Sequence, residues 1–144
     1  MDYNIFENFE RTRLLAGDSM MKALADTRVL IFGVGGVGSW CAESLARTGI
    51  GSITMVDPDT VDQSNINRQL PATTATVGLP KVEVLAARLA SINPEARIEG
   101  VAGRYTPENA AGFGIEGYDY VIDAIDSLTD KADLILRCTD PATA

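Results

Sequence analysis

Val29-Leu30-Ile31-Phe32-Gly33-Val34-Gly35-Gly36-Val37-Gly38 is an apolar run that ends in a loop of glycines. Four consecutive apolar residues carry no amphipathic period, as expected of a strand buried on both faces of a parallel sheet. The glycines fit a G-x-G-x-x-G pattern, and Val37, Trp40, Cys41, Leu45 and Ala46 then recur at helical spacing up to a Thr48-Gly49 stop. Strand, glycine turn and helix in that order turn a weak motif into a useful one.

Working outward, the N-terminal side holds Ile5, Phe6, Phe9, Leu14, Leu15, Met20, Met21 and Leu24 at mixed helical spacings, with Gly17-Asp18 dividing them. Two short helices over residues 3–25 are predicted, forming an N-terminal arm (1–27). On the other side come a strand Ser52–Asp57, a polar loop from Pro58 to about Gly78, and a helix Lys81–Ser91 ended by Asn93-Pro94. A strand Arg97–Val101, a short helix Pro107–Phe113, a buried strand Tyr118–Ala124 and a closing helix Ser127–Cys138 follow. Strands alternating with helices predict an α/β fold, Rossmann-like and doubly wound, with a mainly parallel sheet in the order 3-2-1-4 over residues 28–144. The pattern stops at Ala144 where a further strand is due, so the chain reads as the N-terminal part of something longer.

Composition removes several classes of function. The 144 residues contain no histidine, which excludes an imidazole base, a Ser-His-Asp triad and His-containing metal sites. Twelve Lys+Arg against twenty Asp+Glu give −8, which argues against a surface devoted to nonspecific nucleic-acid binding. Arg28, Arg47, Arg88, Arg97, Arg104 and Arg137 are scattered and form no basic stripe. Cys41 and Cys138 have no C-x-x-C spacing, and there is neither a signal peptide nor an apolar stretch near the roughly 20 residues of a membrane helix. A reduced, cytoplasmic protein is expected, with Cys41 a buried small hydrophobe and Trp40 core packing.

In the glycine loop, Gly35 and Gly36 let backbone amides approach a phosphate at the positive end of a helix. Asp57, nineteen residues beyond Gly38 and at the tip of the second strand, stands where a ribose-binding carboxylate belongs. A nicotinamide enzyme needs only a smooth pyrophosphate cradle, whereas transfer at phosphorus needs cations and a magnesium ligand. Arg68 and Lys81 are the candidate phosphate clamps and Asp126 the magnesium ligand, while Asp123 is left as structural. Lys81 in a helix's first turn opposes the helix dipole unless an anion lies nearby.

These stretches, with Asp57 to Asp59, Ser64-Asn65-Ile66-Asn67-Arg68-Gln69, Gly78-Leu79-Pro80-Lys81-Val82-Glu83 and Asp123-Ala124-Ile125-Asp126, resemble the adenylating enzymes related to ubiquitin-activating enzyme, ThiF and MoeB. The resemblance runs from Phe9 to about Arg137. Phe9 to Leu15, the Asn-Ile-Asn-Arg-Gln form at 65–69, Tyr105 to Asn109 and Tyr118 to Ser127 look most like the tRNA threonylcarbamoyladenosine dehydratase branch.

The resemblance implies ATP with Mg²⁺. By motif position it implies that Gly33, Gly35 and Gly36 form the phosphate loop and Asp57 holds the ribose. Asp59, Asn65 and Arg68 would line the triphosphate, Lys81 would neutralise it, and Asp126 would serve the metal. Arg11 matches an N-terminal arginine that in relatives reaches into a neighbouring subunit's site, which implies a homodimer. The implied reaction is attack of a carboxylate on the α-phosphorus, with loss of pyrophosphate. In the dehydratase branch that carboxylate belongs to a threonylcarbamoyl group on tRNA, which then cyclises with loss of water. Alternative readings are adenylation of a sulfur-carrier (ubiquitin-like) protein, a non-catalytic nucleotide-binding fragment, and an NAD-dependent oxidoreductase on the same fold. Relatives continue for about another hundred residues, so the domain is expected to be incomplete relative to full-length members.

Overall fold

The computed structural model describes residues 5–139. Four parallel strands, β1 (Arg28–Phe32), β2 (Ser52–Asp57), β3 (Arg97–Ala102) and β4 (Tyr120–Asp123), lie in the order β3-β2-β1-β4. The order matches the expected 3-2-1-4. Because side chains alternate across a strand, Val29 and Ile31 point to one face and Leu30 and Phe32 to the other. The first pair packs with Ile53 and Met55 against α4 (Gly38–Thr48) and α5 (Lys81–Ile92), through Ala42, Ala46, Val82, Leu85 and Leu89. The second pair packs with Val56 against Tyr105, Ala110 and Leu134, the last on α6 (Leu128–Thr139). Both faces are covered, which is why the β1 run is apolar at every position.

The arm comprises three short helices rather than two: α1 (Ile5–Asn8), α2 (Glu10–Ala16) and α3 (Asp18–Asp26). The extra break falls at Phe9, which is buried and turns inward with Met21 onto Gly49, the left-handed residue that ends α4. Gly17, with φ +82°, joins α2 to α3. Among the described residues no helix is long and apolar enough to cross a membrane.

Two predicted elements are corrected. Pro107–Phe113 is not an α-helix: the crossover holds only single 3-10 turns at Ala110–Phe113 and Ile115–Gly117. The fourth strand is shorter than Tyr118–Ala124, and it is an edge strand with Tyr120 66% exposed. An apolar run of four or five residues reads alike in a central and an edge strand, since only the neighbours differ.

Glu43 ties α4 to α5. Its carboxylate is buried and accepts hydrogen bonds from Arg88 (Nη2 to Oε1, 3.0 Å) and Arg47 (Nε to Oε1, 2.9 Å). The Arg88 hydrogen bond, followed by that of Arg47, holds the Glu43 carboxyl below the usual glutamate value. A depressed acid stabilises the fold above its unfolded-state value near 4.5 and loses that contribution as pH falls through the lower folded value. We expect Glu43→Ala to cost about 1–3 kcal/mol at neutral pH. Melting temperatures of both proteins should converge as pH is lowered through the region below 4.5. A constant difference down to the acid limit would assign the loss to packing instead of charge.

Candidate functional site

The C-terminal ends of β1, β2 and β4 open into one cleft of about 820 Å³. It is lined by Gly33, Gly35, Gly36, Asp57, Asp59, Asn65, Arg68, Lys81 and Asp126, so all the candidate ligands except Arg11 meet there. Arg11 is exposed on α2 and does not line the cleft.

The glycines of the loop differ in what they are for. Gly33 has φ +89°, and a Cβ there would collide with the carbonyl oxygen of Ala124. A Cβ on Gly38 would overlap the carbonyl oxygen of Gly33. Both are demanded by the fold: they let the loop turn under β4 and bring α4 close. Gly35 and Gly36 have no positive φ, and a Cβ on either meets only ordinary contacts, with Gln69 Nε2 at 3.7 Å and Arg68 Cγ at 3.6 Å. Backbone and packing do not require glycine at these two positions; the space that a side chain would fill belongs to the cleft. Among the described residues the amides of Gly35, Gly36 and Val37 have no acceptor, whereas Val34 N donates to Asp57 Oδ2 at 2.8 Å.

Asp57 is buried at the tip of β2. Its Oδ1 accepts from Asp59 N at 2.9 Å, so one carboxylate fixes both the glycine loop and the start of the long loop. Each oxygen retains a lone pair for a further donor. The long loop is closed at its neck by an antiparallel bridge between Thr60 and Pro80 and by bonds from Val61 N to Leu79 O and Gly78 N to Val61 O, both 2.8 Å. Inside it Asp62 and Asn65 form a reciprocal capping box around a 3-10 turn, and the Asn65 carbonyl accepts from the amides of Arg68 and Gln69. Asn65 is therefore buried as the turn's brace.

Arg68 Nη1 donates to Ser64 O and Asn67 Oδ1, each at 2.9 Å. Of the cleft's four cations, Arg68 is the one with no carboxylate partner among the described residues. Lys81, 5% exposed, donates to Asp59 Oδ2 at 3.0 Å. The anion that its place at the start of α5 calls for is thus supplied by Asp59.

Sequence reading missed part of the opposite wall. Asp123, read as structural, lines the cleft with both oxygens engaged, Lys131 Nζ lying 2.6 Å from its Oδ2 and Ile125 N donating to its Oδ1. Lys131, Arg104 and Tyr105 also line it. Arg104 lies 3.7 Å from Asp130, and burial together with the Asp133 carboxylate pushes the Tyr105 hydroxyl upward. Burial also raises the thiols of half-buried Cys41 and exposed Cys138. The buried oxygen of Gln69, also in the cleft, has no partner among the described residues. Trp40, read as core, is 54% exposed on α4, with its indole N–H donating to Arg68 O at 3.1 Å. The local pattern of each was too generic to single it out.

The ThiF family model matches residues 9–144. The chain belongs to the ThiF family. Among ThiF-family relatives, tRNA threonylcarbamoyladenosine dehydratase of Escherichia coli (strain K12) is 49% identical over 132 residues, covering 92% of this chain and 49% of that protein. The dehydratase of Bacillus subtilis (strain 168) is 45% identical over 134 residues, covering 93% and 53%. The crystal structure of the E. coli dehydratase in complex with ATP superposes with a TM-score of 0.90 over 92% of this chain and 55% of that one. The chain spans about half the length of the curated ThiF-family relatives it matches.

Proposed function

We propose that this chain carries the nucleotide site of an ATP-dependent enzyme that activates a carboxylate by adenylation, the carboxylate being that of N6-threonylcarbamoyladenosine in tRNA. The observation that carries the reading is the pairing of two glycines that the fold does not need with Arg68, a cleft cation with no carboxylate partner among the described residues. The similarity to dehydratases, one of them solved with ATP, supports the same reading.

In this reading the amides of Gly35 and Gly36 and the guanidinium of Arg68 face the phosphates, with Gly33 setting the turn beneath them. Asp57 accepts from the ribose hydroxyls with its remaining lone pairs. Lys81 shares its charge between Asp59 and the phosphates, and Asn65 keeps Arg68 in place. The substrate carboxylate attacks the α-phosphorus and expels pyrophosphate; a nucleophile of the same side chain then displaces AMP, which carries off the carboxylate oxygen as the ring closes. Cationic residues act here by stabilising developing charge, which fits a chain without histidine.

Among the described residues no three carboxylate, thiol or imidazole side chains are grouped to cage a metal. That suits Mg²⁺, which takes one or two carboxylates together with substrate phosphates and water. Asp126 would hold it, since Lys131 occupies Asp123. The ion would supply neutralisation of the phosphate charge. A cytoplasmic location belongs to the same reading.

Pyrophosphate release from ATP and Mg²⁺ tests the reading, with tRNA bearing the threonylcarbamoyl group compared with a sulfur-carrier protein ending in Gly-Gly. Release with the tRNA alone, and a nucleoside lighter by one water, is expected. Release with the carrier protein alone would replace the substrate assignment.

Arg11, exposed and outside its own chain's cleft, enters the reading as a residue donated by a second copy in a homodimer. Mixing Arg11→Ala with Arg68→Ala chains would then rebuild one intact site in each mixed dimer and recover about a quarter of native turnover by symmetry. If the mixture is no more active than its parts, Arg11 does not act across subunits.

A further inference from the structure

Trp40, the chain's one tryptophan, is exposed on α4, three residues beyond exposed Val37 of the glycine loop and bonded to the backbone of Arg68, both of which line the cleft. Exposing an indole costs hydrophobic free energy, and this one is held in position: its N–H is anchored on the Arg68 carbonyl, which fixes one edge and leaves the ring accessible. A ring already fixed loses little conformational entropy when something stacks on it.

The charge around it is opposite in sign to that of the chain. Arg47 lies seven residues along α4 from Trp40, two helical turns and about 10 Å away on the same side. Arg88 reaches across from α5, and both arginines share the single buried carboxylate of Glu43 while remaining about half exposed themselves. Arg47 and Arg88 therefore stand on this side of the protein against one carboxylate, a local excess of one positive charge on a chain of net −8. An exposed aromatic flanked by arginines is the arrangement that binds unstacked bases and their phosphates. The scattered cations of the sequence become a basic patch only in the fold.

We propose that the face formed by Trp40 and Arg47 of α4 with Arg88 of α5 is an RNA-docking surface, with an unpaired base of the tRNA stacking on Trp40. The proposal rests on the RNA reading of the site and gives that reading a location. Trp40 acts as a binding residue and takes no part in adenylation.

The sole tryptophan is its own reporter. Titrating the protein with the modified tRNA, at saturating ATP, should quench Trp40 fluorescence, whereas poly-glutamate, an equally anionic polymer without bases, should not. Trp40→Ala should raise the KM for tRNA about 5- to 100-fold with kcat within about twofold, and Trp40→Phe should recover most of it. Arg47→Ala should lower the slope of log affinity against log salt by about 0.7–0.9. Quenching without tRNA-dependent turnover would uphold the surface and sink the dehydratase reading. Turnover with unchanged fluorescence and an unchanged KM in Trp40→Ala would sink the surface and leave the reading standing. An emission that shifts to the blue as protein concentration rises, with no response to tRNA, would assign the face to a second copy of the chain and overturn the proposal.

Discussion

Arg68→Ala should weaken ATP binding about 10- to 100-fold, the range expected when a hydrogen bond to a charged group is lost. Turnover should fall further, by about 10²–10³, if the guanidinium also meets charge that develops during displacement. The folded state should hardly change. The side chain is exposed, its protein partners are the Ser64 carbonyl and the Asn67 amide oxygen, which water can satisfy, and the bond from Trp40 goes to the backbone and survives the substitution. Calorimetric titration with ATP and Mg²⁺, with NAD run alongside, checks this. Equal ATP affinity in both proteins would remove Arg68 from the site, and binding of NAD alone would move the cleft to hydride chemistry.

The second large effect separates neighbouring glycines of one loop. Gly38→Ala places a methyl group on the carbonyl oxygen of Gly33 and 3.1 Å from the Ala124 Cβ. The first contact is backbone on backbone, so no side chain can swing away, and a loss above about 4 kcal/mol is expected. Little folded protein should be recovered. Gly36→Ala meets nothing closer than Arg68 Cγ at 3.6 Å and needs no unusual backbone angle, so its melting temperature should stay near that of the native chain. Its ATP affinity should nonetheless fall about tenfold or more, because the added methyl stands where a phosphate approaches the amides. A Gly36→Ala protein that binds ATP normally would show that the cradle lies elsewhere.

Strand, glycine turn, helix and the acid at the second strand's tip were legible because each is a local signal of period, spacing and residue type. Contacts between distant residues were not. The sequence presents Lys81 as a cation looking for an anion, but that Asp59 supplies it depends on a loop closed at Thr60 and Pro80. Asp123 was read as structural because its strand looked buried; β4 is an edge, and Lys131, eight residues on, turns back to meet it at the cleft. Trp40 has the hydrophobicity of a core residue, and only the packing of α4 shows that Ala42 and Ala46 face the sheet while Trp40 faces out. The helix expected at Pro107–Phe113 failed for the same reason, since its apolar residues fill the second face of the sheet from tight turns.

The long loop's closed neck has a bearing on how this site can change. A segment whose two ends are pinned to each other behaves as an exchangeable insert: its contents can be lengthened, shortened or rewritten without altering where it joins β2 and α5. Extra length in such a closed loop is thermodynamically mild, about 0.6 kcal/mol per doubling. Diversification of what borders the cleft can therefore proceed at residues 73–77, while Asp57, Asn65, Arg68, the Asp59–Lys81 pair and the four-stranded sheet keep a common cleft floor.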